Sequence, residues 1–224
     1  MSFTSKELIY ENNLASKEDV KAFKMEGEGA ISFPKGRMRM ETLMDPEEGQ
    51  KSNIVYWCPE ELPENILVEW DFWPIHEPGL CIIFFAAQGK NGEDIFDPSL
   101  SKRTGEYNLY HHGDINTYHL SYFRRRWEHE KEFHTCNLRK SYGHQMVAQG
   151  ADPIPSVIDA KSPYHISLLK NKAYIEFSIN DLTVLKWNDD GDEYGPILGG
   201  GKIGFRQMSP LIAEYSNLKI YEVK

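Results

Sequence analysis

Two short stretches hold side chains whose types and spacing can do chemistry. In Glu69–Trp70–Asp71 two carboxylates stand at i and i+2. A strand puts such positions on one face, and close like charges raise one pKa, as a general acid requires. Glu69 and Asp71 are therefore candidates for glycoside hydrolysis. Phe72, Trp73 and Pro74 stand where a third acid of a Glu-x-Asp-x-(x)-Glu strand would be, which speaks against it. The plain alternative is a solvated or arginine-paired sheet face.

The second stretch is LYHHGDINTYHLSYFRRRW, Leu109 to Trp127. Alternation assigns Tyr118, Leu120 and Tyr122 to a core-facing side, and Thr117, His119, Ser121, Phe123 and Arg125 to the other. Arginine offers bidentate donors to a carboxylate, and histidine exchanges a proton near neutral pH. Tyr110, His111, His112 and Asp114 form a loop at the rim of that face, and Arg139 comes from an expected neighbouring strand. The chain carries 34 acidic and 25 basic residues, net charge -9. Against that background Arg124–Arg126 with Arg139–Lys140 is a basic focus and points to an anionic ligand. The ligand that fits such a face is a carboxylate-bearing sugar. Trp73 shares the Glu69/Asp71 face and is a candidate stacking platform. The competing reading pairs the arginines with Glu69, Asp71, Glu128 and Glu130.

Other motifs fall away on spacing. The histidines of HEKEFH (129–134) stand five apart, not the four of a zinc-protease helix. GEG (27–29), GGGK (199–202) and NDDGDE (188–193) match no phosphate loop or EF-hand, and no serine sits in a nucleophile elbow. The acidic balance excludes sequence-independent nucleic-acid binding and docking on anionic membranes. Cys58, Cys81 and Cys136 match no metal spacing and fit buried thiols in a reducing compartment. With no signal-peptide pattern and no long apolar run, the expected location is cytoplasmic.

The elements that must position these groups are strands. Residues 66–73, 79–89, 115–125, 133–141, 164–169, 173–179, 183–187, 202–208 and 215–223 have strand patterns, with 164–187 a meander. Helix signals are few: 16–26, and one turn between Pro59 and Pro63. Long polar loops are expected at 90–114 and 143–163. Many strands at short spacing predict an all-β, two-sheet antiparallel jelly-roll sandwich as one domain over 1–224, with a strand near Glu7–Tyr10 beside the C-terminal one.

The blocks NLYHHGDINTYHLSYFRR, GEDIFDPSL, LRKSYG, GADPIP and GGKIGFRQMSPLIAEYSNLKIYEV resemble the YesU-like family of bacterial proteins, over about residue 65 to the end. The family is one of unknown function with a concanavalin A-like, galectin-like jelly roll. Its genes often sit among those for use of pectin, chiefly rhamnogalacturonan. It brings no settled catalytic residues. The wider fold includes lectins, paired-acid glycosidases, and alginate-type lyases with His, Tyr, Arg and Gln in a concave groove. The resemblance thus implies a carbohydrate-active protein acting on pectic oligosaccharide in a lyase-like groove. The reaction it implies is β-elimination, in which Arg125 or Arg139 neutralises the uronate carboxylate and His119 or Tyr110 moves the proton of the adjacent C–H. A non-catalytic sugar-binding module and a Glu69/Asp71 hydrolase are the alternatives. The expected concave face carries Glu69, Asp71, Trp73, His119, Ser121, Arg125 and Arg139. No cofactor is called for beyond a structural calcium ion that the fold permits, and the oligomeric state is left open.

Overall fold

In strand β6 (Ile66–His76) Val68, Trp70 and Phe72 are fully buried, while Glu69, Asp71 and Trp73 between them are not. Such alternation requires a sheet with one face on a core. The computed structural model, which describes residues 4–224, supplies it. Its strands are β1 (Lys6–Asn12), β2 (Lys24–Glu26), β3 (Gly29–Ser32), β4 (Met38–Thr42), β5 (Ile54–Trp57), β6, β7 (Leu80–Gly89) and β8 (Ile115–Tyr122). There follow β9 (Thr135–Lys140), β10 (Gln145–Ala151), β11 (Tyr164–Asn171), β12 (Tyr174–Ile179), β13 (Leu182–Asn188), β14 (Lys202–Met208) and β15 (Ile212–Val223). An eight-stranded sheet runs β13-β12-β11-β6-β15-β4-β3, with β1 also on β15. A seven-stranded sheet runs β10-β9-β8-β7-β14-β5-β2. All named pairs are antiparallel, so the fold is a jelly-roll sandwich.

The main core lies between the sheets. Val68, Trp70, Phe72, Ile166 and Phe177 meet Cys81, Ile83, Phe85, Tyr118, Leu120 and Tyr122 there. Aromatic edges cross the interface, with Trp70–Phe205 and Phe72–Tyr122 ring centroids 5.6 and 5.2 Å apart. The unbroken apolar run of β7 has a second cause. Its other face, with Val55 and Trp57, is covered by Ile95, Tyr110 and Ile115 and by the half-buried Phe96, Leu100, Tyr107 and Leu109. The segment 90–114 is therefore a lid of packed side chains over part of the seven-stranded sheet.

The strand beside the C-terminus appears as expected, with Glu7 opposite Glu222. Helix does not form over 16–26. There Asp19 accepts from the Ala15 amide, its own carbonyl accepts from Asn12, and residues 24–26 pair as β2. Residues 59–63 hold a bridge from Leu62 to Gly201 rather than a helical turn. The loop expected at 143–163 contains β10, and 90–114 contains the one-turn helix α1 (Asn108–His111). No helix among the described residues is long and apolar enough to cross a membrane.

Candidate functional site

The part of the seven-stranded sheet that the 90–114 segment leaves open forms a cleft of about 250 Å³. Register places its side chains. Arg206 (β14), Ile82 (β7) and Ser121 (β8) are opposite one another in successive strands, and so are His119 and Arg139 (β9). Tyr107 and His144 form walls, Arg124 and Trp127 line the cleft beyond the end of β8, and Gln50 reaches in from the 3-10 turn Pro46–Ser52. Leu80, Ile82 and Met208 are its apolar lining.

His119 is 1% exposed and lies beneath this surface. Its Nε2 is 2.7 Å from Ser141 Oγ, which itself donates to the Tyr110 carbonyl at 2.9 Å. Ser141 must therefore accept, so Nε2 carries the proton. Nδ1 is then the acceptor of the Tyr107 hydroxyl at 3.1 Å. Burial lowers the His119 pKa well below the usual histidine value, with His111, His144, Arg206 and Arg139 adding repulsion. Burial likewise pushes the Tyr107 hydroxyl up to about 12. At neutral pH the pair is a neutral imidazole holding a neutral phenol.

The charge in the cleft is positive. Arg206 is 1% exposed and donates through Nη2 to Gln50 Oε1 (3.1 Å) and the Gly105 carbonyl (3.2 Å), with its guanidinium 4.8 Å from the Tyr107 ring. Gly105 has φ +92°, and a Cβ there would stand 1.9 Å from the Asn53 carbonyl oxygen, so only glycine brings this backbone so close. Burial pulls Arg206 down to about 10. Arg139 donates to the His144 carbonyl at 2.8 Å. Neither has an acidic partner among the described residues, whereas Arg124 is paired with Glu130. At the rim His111 contacts His112 and His144, with ring centroids 4.5 and 4.9 Å away. Burial, then His144, lowers His111 to about 4. Among the described residues no group of three or more His, Cys, Asp or Glu side chains is arranged to hold a metal ion.

Several expected site residues stand elsewhere. Glu69, Asp71 and Trp73 are on the outer face of the eight-stranded sheet, opposite the cleft, because β6 belongs to that sheet. There Asp71 bonds His165 (3.2 Å) and Asn217 (2.6 Å), Glu69 faces Lys6 (3.9 Å), and Arg37 covers the Trp73 ring at 4.3 Å. Arg125 is internal. The strand ends at Tyr122, and Phe123 takes φ +46° and enters the main core, which breaks the alternation that put Arg125 beside His119. Arg125 pairs with Asp152 at 3.2 Å. Tyr110 is wholly buried, donates to Glu26 at 2.8 Å and stacks on Phe84 at 5.0 Å, so it meets no ligand. Asp114 accepts from the Ser101 amide at 2.9 Å and ties the 90–114 segment together. The cleft and its rim hold His111, His112, Ser121 and Arg139 of the expected set, and His119 lies beneath, bonded to Tyr107 and Ser141.

The reading of the sequence missed Gln50, Tyr107, His144 and Arg206; Arg124 entered it only as part of the basic run, and Trp127 only as the aromatic residue that ends the stretch. Arg206 had a signal: an arginine inside the strand pattern KIGFRQM, directly after Phe205. Gln50 and Tyr107 had none, since irregular segments carry them in.

The sequence matches a family model described as a domain of unknown function, DUF1961, over residues 7–220. The chain belongs to this family. It is 54% identical over 214 residues to the uncharacterized protein YesU of Bacillus subtilis (strain 168), covering 96% of this chain and 95% of that one. A crystal structure of a protein of unknown function with a galectin-like fold from Bacillus subtilis superposes with a TM-score of 0.95 at 52% identity, over 99% of each chain. The carbohydrate binding module CBM66 from Bacillus subtilis shares the fold at TM-score 0.54 and 11% identity, over 88% of this chain and 93% of that one.

Proposed function

We propose that the protein binds uronic-acid-containing, pectic oligosaccharide in the cleft of the seven-stranded sheet and cleaves it by β-elimination. The observation that carries the reading is Arg139 and Arg206, two arginines in one cleft with no acidic partner among the described residues, in a chain of net charge -9. Unpaired guanidinium groups in a partly dry cleft favour a carboxylate ligand. The exposed Trp127 beside them suits the C–H face of a sugar ring. The same fold in a carbohydrate binding module supports a sugar as the ligand class.

In this reading Arg139 and Arg206 neutralise the uronate carboxylate and acidify the adjacent C–H. Tyr107 is the group at the reacting atoms. Its own proton is drawn onto His119 Nδ1 and its oxygen takes the carbon-bound proton. As the C=C bond forms and the C–O bond breaks, Tyr107 passes that proton to the leaving glycosidic oxygen, and His119 returns the first proton to Tyr107. No cofactor enters, and imported oligosaccharide in the cytoplasm is the proposed substrate pool. A binding-only module is the second reading, favoured by the depressed basicity of His119, which makes it a weak proton acceptor. A panel of pectic and neutral oligosaccharides, read by mass spectrometry and thermal shift, separates the readings. Elimination gives fragments whose masses sum to the substrate, and hydrolysis adds one water. A thermal shift without fragments selects the binding module. Neither signal across the panel removes both.

A further inference from the structure

The buried Arg206 guanidinium is only partly satisfied. Its Nη2 donates to two neutral oxygens, while Nε and Nη1 have no hydrogen-bond partner. Unpartnered donors on a buried cation are costly, and proteins ordinarily supply a carboxylate there. Here the side chain in that place is Gln50. Its Oε1 accepts from Arg206 Nη2 (3.1 Å), from the Tyr107 amide (3.3 Å) and from Asn53 Nδ2 (3.0 Å). All three contacts are made to an oxygen, so glutamate would keep them and also cancel the charge.

We infer that Gln50 is the specificity-determining residue of the cleft, a neutral clamp that orients Arg206 without neutralising it and so keeps it for a ligand carboxylate. The inference rests on the cleft's taking an acidic saccharide. Gln50 touches both Arg206 and the backbone of Tyr107, and so sets the charged subsite and the phenol together. Selection between acidic and neutral sugars then turns on one atom at position 50.

The test is Gln50→Glu, melted without ligand and titrated by calorimetry with a galacturonate oligomer and with its neutral methyl ester. The introduced carboxylate pairs with Arg206, so the melting temperature rises, and the rise vanishes in Gln50→Glu/Arg206→Met. Affinity for the acidic oligomer falls about tenfold or more, the worth of a charge-assisted contact, while that for the ester is unchanged. Equal weakening of both ligands, unchanged affinity for the acid, or no rise in melting temperature overturns the clamp. If the wild type binds neither oligomer, the assignment of the cleft to acidic saccharide fails. The unliganded melt then still decides whether Gln50 leaves Arg206 uncompensated.

Discussion

Arg125→Met tests the separation of structural from ligand-facing arginines. The Arg125 guanidinium lies 3.2 Å from Asp152 Oδ2, donates to the Arg124 carbonyl at 2.7 Å and also to that of Ile154. The two side chains are 1% and 0% exposed. Methionine leaves the Asp152 carboxylate buried with the Ile154 amide at 3.1 Å as its remaining donor. Breaking such a pair costs about 3–5 kcal/mol. At roughly 2–4 °C per kcal/mol for a chain of this size, the melting temperature drops by about 6–20 °C. Burial already raises the Asp152 pKa against the pull of Arg125, so losing Arg125 raises it further. The deficit is therefore largest at neutral pH and shrinks as pH falls and Asp152 takes up a proton. Arg125→Met/Asp152→Asn recovers most of the loss. Scanning calorimetry at two pH values reads all of this. A melting temperature within about 2 °C of wild type, or a lost oligosaccharide shift at unchanged stability, refutes the assignment.

Tyr107→Phe keeps the ring against Arg206 but removes the hydroxyl, so product formation falls about 10²- to 10⁴-fold while calorimetric affinity stays close to wild type. Retained turnover assigns the proton transfer elsewhere. Glu69→Gln and Asp71→Asn leave product formation and affinity unchanged, because both face away from the cleft; loss in either revives hydrolysis. The pKa of buried His119 is depressed, so the unfolded chain binds its proton first. That stability is intact above about pH 6.5 and is lost as pH falls below it, at up to about 1.4 kcal/mol per pH unit. His111, lowered to about 4, acts in the same direction. Melting temperatures between about pH 7 and pH 5 check this, and His119→Gln flattens the slope; a flat wild-type profile contradicts it.

The sandwich was legible because its long strands obey simple rules. KIGFRQM appears as β14 with the expected bounds, and Trp70 is buried where alternation puts it. The short β2 to β5 were not legible. Ile54–Trp57 is buried on both faces and too brief to show a period. The candidate site was half legible. His119 and Arg139 share a face because strand pairing preserves alternation, but alternation stops where the backbone turns, and φ +46° at Phe123 is invisible in the residue type. Tyr107 and Tyr110 are three residues apart, and only the packing of 90–114 decides which one meets the cleft.

Glu26, on the edge strand β2, is 9% exposed and accepts from Trp57 Nε1 (2.9 Å), the Tyr110 hydroxyl (2.8 Å) and Arg103 (2.7 Å). Tyr110 lies on α1, three residues after Tyr107, so a knot outside the cleft fixes the rotation of the segment that presents Tyr107 within it. The ordering of that wall belongs to folding, and little conformational entropy is left to lose on binding. The cleft is thus a rigid template that selects ligands of its own shape. Loosening Glu26, with every cleft residue intact, would turn a selective site into a permissive one.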